Sequence, residues 1–369
     1  MKSGTKGAAA AVLACLCLLM TGCQPNSLDP APASPSATLG VPAPLPSFEA
    51  SPSGPASTPP AGPEGSVHFT AQGDIGVDDG ARKVLDTVAG LQPQLNLALG
   101  DLSYQAGIEQ EFCDMVKGKL GADFPYQLIT GNHESDGHDG DIEKFVKCLP
   151  NRLPGIQGEY GTQWYVDFPA KDPLVRFVMI SPGINFKNGK PLDYSTNSER
   201  WRWTADAIDG AAAAMIPWTV VGMHTPCLSV GHYPCQAGKD LTNMLTDKKV
   251  DLVLSGHEHI YQRTHQLGTG TDCPDLVPQA FSAGCINDSD ASMVQGDGTV
   301  FATAGLGGRE PREVDANDRE ARYFAAFSGN NRNPALGTLD VTVTADRLAA
   351  RFVPAEGYHF TDSFTIERR

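Results

Sequence analysis

From residue 66 onward, compact apolar runs alternate with stretches in which apolar residues recur every three or four positions. Val67 to Ala71 is a short, mixed run that reads as a first strand leading to Asp74. Ala81 to Leu91 has the helical spacing of Val84, Leu85 and Val88, and Leu95 to Leu99 reads as a second strand leading to Asp101. A helix over Glu109 to Leu120 places Phe112, Met115 and Val116 on one face. Tyr126 to Thr130 predicts a third strand and Ile142 to Leu149 a short helix. The middle is richer in strand patterns: Gln163 to Phe168 alternates and Leu174 to Ile180 reads as a continuous buried strand. A helix over Glu199 to Ala214 takes Trp201, Trp203 and Ile208 as apolar anchors. Trp218 to Met223 is a strand before His224, Asp240 to Lys248 a helix, and Val250 to Leu254 a strand before His257. Val300 to Ala304, Gly337 to Val343 and Leu348 to Val353 close the chain in strands. Strand–helix units early and paired strands later predict an α/β fold: a two-sheet β-sandwich core flanked by helices.

The first 65 residues do not fit this pattern. Lys2 and Lys6 precede an apolar stretch from Ala8 to Met20, too short to span a bilayer comfortably and typical of an export signal. Leu19-Met20-Thr21-Gly22-Cys23 resembles a bacterial lipobox, which implies cleavage before Cys23 and lipid attachment there; the alternative is an ordinary secretory signal. Residues 24–65 are rich in Pro, Ala and Ser with almost no charge, and cannot bury enough surface to fold. The expected organisation is a signal over 1–22, a semi-rigid stalk over 23–65 and a catalytic domain over 66–369, exported and either lipid-anchored or secreted. No later segment is long and apolar enough for a transmembrane helix, so the membrane enters as a partner only through Cys23. The net charge of −15 argues against nucleic acid as a bulk partner. No obligate protein partner follows from the sequence.

Nine cysteines occur, of which Cys15 and Cys17 lie in the signal and Cys23 at the lipid position. The remaining six suggest disulfides in an exported domain. Fifteen pairings are open in principle; sequential pairing, Cys113–Cys148, Cys227–Cys235 and Cys273–Cys285, is preferred, and the second of these would brace the loop from His224 to His232.

Five motifs carry the chemistry: Gly73-Asp74-Ile75-Gly76, Gly100-Asp101-Leu102-Ser103-Tyr104, Gly131-Asn132-His133-Glu134, Gly222-Met223-His224 and Gly256-His257-Glu258-His259. Each follows a predicted strand, and residues at the carboxyl ends of strands face the crevice where open α/β sheets bind ligands. Asp, Asn, His and Tyr from separate strand ends can hold two cations a few ångströms apart, with Asp101 as a bridging carboxylate. Two such cations clamp a phosphate and acidify a bound water. A phenolate prefers a hard trivalent ion, so Tyr104 argues for Fe(III); a mixed nitrogen and oxygen set suits Fe(II), Zn(II) or Mn(II) at the other position.

The order of these motifs resembles the metallophosphoesterase superfamily, specifically its purple acid phosphatase branch. Most of the superfamily opens with Asp-x-His; Asp74-Ile75-Gly76 lacks that histidine, and the chain gains Tyr104 in Gly-Asp-x-x-Tyr, as that branch does. The resemblance implies Asp74, Asp101, Tyr104 and His259 on the trivalent iron, and Asp101, Asn132, His224 and His257 on the divalent partner. It also implies a phosphate-monoester substrate and places His232 where plant members carry histidines that face the phosphate, suited to assist the leaving group. Glu134 is positioned to orient a ligand from behind. His133 reads as structural, His138 as a polar loop residue, and Gly305 to Gly308 as a turn near the site. A phosphodiesterase or nucleotide hydrolase on the same site, and a non-catalytic lipoprotein binding metal or phosphate, are the competing readings.

Overall fold

The computed structural model describes Gly65 to Arg369. The predicted signal, Cys23 and the predicted stalk up to residue 64 lie outside the described residues. No helix among the described residues is long and apolar enough to cross a membrane.

Two large sheets pack face to face. The first runs, edge to edge, through Ser292–Val294, Asp362–Glu367, Arg347–Pro354, Gly337–Thr344, Ser66–Gln72, Leu95–Leu99 and Tyr126–Ile129. The second runs through Phe324–Ser328, Tyr261–Thr264, Val300–Ala304, Leu252–Ser255, Trp218–Gly222, Val175–Met179, Gln163–Phe168 and Gln157–Glu159. Each sheet contains a parallel block. In the first it is 66–72, 95–99 and 126–129; in the second it is 175–179, 218–222, 252–255 and 300–304. Parallel strands are covered on both faces, which is why Leu95–Leu99 and Val175–Met179 are buried at every position and mostly apolar, with Asn96 bonded to Thr70 and Arg176 to Asp167 as the exceptions.

The facing sides of the sheets make one core that includes Phe69, Leu97, Trp164, Phe177, Trp218 and Phe352. Phe69 meets Phe177 edge-on with ring centres 5.0 Å apart. The two buried indoles also bridge the layers: Trp164 Nε1 donates to Leu128 O (2.9 Å) and Trp218 Nε1 to Thr344 O (2.7 Å). Helices Asp79–Leu91, Glu109–Leu120 and Ile142–Cys148 cover the outer face of the first sheet. Helices Glu199–Ala213 and Lys239–Asp247 cover the second. The helix starts are set by side chains: Asp78 accepts from Ala81 N–H (3.1 Å) and Ser198 from Trp201 N–H (3.1 Å).

The two-sheet α/β architecture is the expected one, and the six cysteines pair sequentially as Cys113–Cys148, Cys227–Cys235 and Cys273–Cys285. Two differences are instructive. Trp201 and Trp203 are only half-buried, and helix Glu199–Ala213 instead buries Thr204, Ala205, Ala207, Ile208 and Ala211. Strand Tyr261–Thr264 carries no apolar signature because its polarity is satisfied by Asp362 at the start of strand Asp362–Glu367. Arg263 binds Asp362 through Nε (2.6 Å) and Nη2 (3.0 Å), and Tyr261 Oη donates to the same carboxylate (2.8 Å).

Candidate metal centre

The carboxyl ends of both parallel blocks meet along one line. Gly73 N–H donates to Ala304 O across the sheets (2.9 Å). The loops after the first two strands of the chain are zipped together: Asp74, Ile75 and Gly76 donate to the carbonyls of Gly100, Asp101 and Leu102 at 3.1, 2.9 and 3.2 Å. Gly256 N–H donates to His224 O (2.9 Å), joining the loops that follow Gly222 and Ser255. Asp74, Asp101 and His257 each adopt a left-handed backbone, with φ of 60°, 52° and 68°. Such conformations are costly for residues with a side chain and persist where the surroundings over-determine them, as at functional sites. Glycine before Asp101 is a steric requirement, since a Cβ on Gly100 would stand 2.7 Å from both Gly131 Cα and His224 Nδ1. Gly305 is similarly fixed: a Cβ there would collide with Glu258 O and Asp74 Oδ2.

The seven residues expected as ligands fall into two groups. In one, Tyr104 Oη lies 3.3 Å from Asp74 Oδ1 and 3.2 Å from His259 Nε2, and His259 Nε2 lies 3.5 Å from Asp74 Oδ1. In the other, His224 Nε2 lies 3.1 Å from Asn132 Oδ1, 3.2 Å from Asp101 Oδ1 and 3.1 Å from His257 Nδ1. Asp101, His224 and His257 bring ligand atoms within 4.8 Å of one another, the spacing of a cation site.

Proton positions follow from the partners. A carbonyl only accepts, so His224 Nδ1 donates to Leu99 O (2.8 Å) and His259 Nδ1 to Glu310 O (3.2 Å). Each Nε2 is then free to offer a lone pair inward. Burial lowers His257 to about 3, with the His224 charge adding to it; burial and then Arg312 lower His259 to about 4. Both imidazoles are therefore lone-pair donors at neutral pH. Burial also works against a charged His224, but the Asp101 carboxylate outweighs it and holds that imidazole up at about 9. The acidic groups thus demand positive charge at this point, whether proton or metal.

One atom tests the fit of a metal directly. Asp74 Oδ2 is buried without a hydrogen-bond partner. An orphaned buried lone pair is costly, and a cation held by the cluster offsets it. The donor set, two carboxylates, an amide oxygen, a phenol and three imidazoles, fits hard and borderline metal ions.

Glu134 is fully buried behind the donors, accepting from Gly131 N–H (2.6 Å) and Leu102 N–H (3.1 Å), and so ties the Asp101 loop to the Asn132 loop. Burial and then Asp101 raise its carboxyl to about 8. His133 holds Asp139 through Nδ1 (2.8 Å), its backbone N–H donates to Asp101 Oδ1 (3.1 Å), and its ring lies against Tyr104 with centres 4.3 Å apart. His138 is exposed in the loop. His232 is exposed on the rim, beside a cleft of about 620 Å³ that it lines with Arg312.

Sequence reasoning missed four contributors. Tyr233 stacks on His257 with ring centres 4.3 Å apart. Arg312 lies over Tyr233 (5.1 Å) and Arg309 over Tyr104 (4.4 Å). Glu258, between the two histidines of its motif, is buried and accepts from His232 N–H (3.0 Å) and Tyr233 N–H (2.5 Å), fixing the rim loop. Adjacency to His232 was a signal for Tyr233; the arginines had none, because they belong to a charged turn.

The sequence model of the Calcineurin-like phosphoesterase family matches residues 67–261, more than half of the chain. Among curated proteins, "Purple acid phosphatase 18" of Arabidopsis thaliana is 24% identical over 225 residues, 59% of this chain and 48% of that protein. "Phosphoenolpyruvate phosphatase" of Allium cepa is 24% identical over 280 residues, covering 72% of this chain and 53% of its own length. The chain spans about half the length of these curated relatives. A purple acid phosphatase from yellow lupin (Lupinus luteus) seeds superposes with a TM-score of 0.63 at 16% identity, over 82% of this chain and 54% of that one.

Proposed function

Because the chain belongs to the calcineurin-like phosphoesterase family, we propose that it is an exported acid phosphatase that hydrolyses phosphate monoesters at a dinuclear metal site. The observation that carries this reading is the donor cluster itself: two groups of candidate ligands from both sheets, with Asp74 Oδ2 left without a hydrogen-bond partner. In this reading Asp74, Tyr104 and His259 hold Fe(III) and Asn132, His224 and His257 hold Fe(II), Zn(II) or Mn(II), with Asp101 shared. When bound, the metal pair supplies charge neutralisation on the phosphate and acidified water at acid to neutral pH.

The chain's own residues do the rest. Leu99 O and Glu310 O fix the tautomers of His224 and His259 so that Nε2 faces inward. Glu134 keeps Asp101 and Asn132 in register by gripping the backbone N–H groups of both loops. Glu258 holds the His232 backbone, which places that imidazole at the rim to give a proton to the departing alcohol. The disulfide Cys227–Cys235 braces the same loop. Cys23 would tether the folded part to a membrane through lipid, in keeping with three disulfides that suit an oxidising compartment.

The test is kcat/KM on a chromogenic phosphate monoester and the matching diester, using residues 66–369 alongside the full chain. A monoester preference supports the reading. A diester preference keeps the metal site and moves the function to phosphodiester or nucleotide cleavage.

A further inference from the structure

Arg312 stands beside the donor cluster with few partners of its own. It follows the Gly305–Gly308 turn, its backbone N–H donates to His259 O (2.9 Å), and its guanidinium rests over the Tyr233 ring. That ring is stacked on His257, so the guanidinium stands one aromatic ring further out than the ligand. Its only side-chain hydrogen bond among the described residues is a long one to His257 O (3.5 Å). Arg309, on the same turn, is paired with Asp78 (3.3 Å); among the described residues no carboxylate stands within ion-pair distance of Arg312. A guanidinium has five donors, and Arg312 lines a cleft of about 620 Å³ with His232 and Asn330. An uncommitted arginine in a protein of net charge −15 calls for an external anion.

We propose that Arg312 is a specificity-determining residue that binds a second anionic group, a carboxylate, on the leaving alcohol of the substrate. The inference rests on the phosphatase reading and names its substrate class: phosphate monoesters of short hydroxy acids. The arginine is pre-positioned, since Glu258 fixes the Tyr233 backbone and Tyr233 supports the guanidinium. Exposed Glu313 and Asp315 on the same cleft wall repel an anion carried further out, which limits the acid to a short one.

The experiment compares 3-phosphoglycerate with glycerol 3-phosphate, which differ at a carboxylate, on the metal-loaded wild type, Arg312→Gln and Arg312→Lys. Wild type is expected to favour the carboxylate ester by about 10- to 100-fold in kcat/KM, mostly through KM. Arg312→Gln should erase that preference, bringing the two esters within twofold of each other, and Arg312→Lys should restore part of it. An equal loss on both esters means that Arg312 grips the transferred phosphoryl group, and overturns the proposal. So does a preference that is absent in wild type or survives in Arg312→Gln. Calorimetric binding of 3-phosphonopropionate against propylphosphonate repeats the comparison without turnover. If wild type hydrolyses neither ester, the phosphatase reading fails, and the phosphonate preference alone then decides whether Arg312 reads a carboxylate.

Discussion

Asp101 is the residue on which the centre turns. Its carboxylate touches His224, receives the His133 N–H and lies close enough to Asp74 and Tyr104 to disfavour their ionisation. Asp101→Asn keeps the shape and removes the charge. It is expected to lower metal content below stoichiometry by elemental analysis and kcat by roughly 10³-fold. Tyr104→Phe tests the iron assignment separately: any visible phenolate-to-iron band should vanish, and a band that survives removes Tyr104 from the metal. Glu134 acts through others. Glu134→Gln would set an amide NH2 against one of the two N–H groups the carboxylate now accepts, at a cost of about 1–3 kcal/mol. Its signature is weaker metal affinity in a titration together with a lower Tm; an unchanged metal affinity contradicts a positioning role. At this scale the sequence was unevenly informative. The ligands were legible because each is coupled to a glycine at the end of an apolar run. Tyr233 and Arg312 were not, because their roles arise from stacking on His257 and on each other across loops distant in the chain.

At the scale of elements, the rim loop between His224 and Gln236 is held at three points: the His224 side, the Cys227–Cys235 bridge and the buried Glu258 beneath His232 and Tyr233. Replacing both cysteines by serine should cost about 2 kcal/mol in the chain-entropy account, small because the closed loop is short. The larger effect should fall on kcat, since the loop carries His232; a kcat that stays at the wild-type value would detach that loop from catalysis. The strands that present the proposed ligands were readable, for Leu95–Leu99 and Leu252–Ser255 are buried throughout and therefore largely apolar. Tyr261–Thr264 was hidden by the opposite circumstance. Its Arg263 is buried against Asp362, a partner 99 residues away, and such pairing leaves no local pattern to read.

Two buried carboxyls remote from the metal centre, Asp251 and Glu320, favour acid pH. Burial raises Asp251 to about 7, although Thr219 N–H and Gln295 stabilise its charge, and burial raises Glu320 to about 7 against the N–H groups of Ser229 and Gln279. A carboxyl raised on folding contributes stability that is fully present below its ordinary range near 4 and is lost as pH rises through about 7. For Asp251 the loss is on the order of 4 kcal/mol across that window. Tm should therefore be higher at pH 5 than at pH 8.5, and Asp251→Asn should flatten the difference. A Tm that rises towards pH 8.5 would contradict the assignment. The net charge of −15 acts in the same direction, since partial neutralisation relieves self-repulsion.

On the proposed reading, seven side chains from two sheets hold a metal pair for phosphate-monoester hydrolysis. The most direct measurement follows turnover of a chromogenic phosphate monoester by the chelator-stripped chain as iron and zinc are restored, in wild type and in Asp101→Asn. The stripped wild type is expected to be inactive, activity to return with close to two metal ions per chain, and Asp101→Asn to regain almost none. Full activity in the stripped chain, or equal recovery in Asp101→Asn, would contradict that reading.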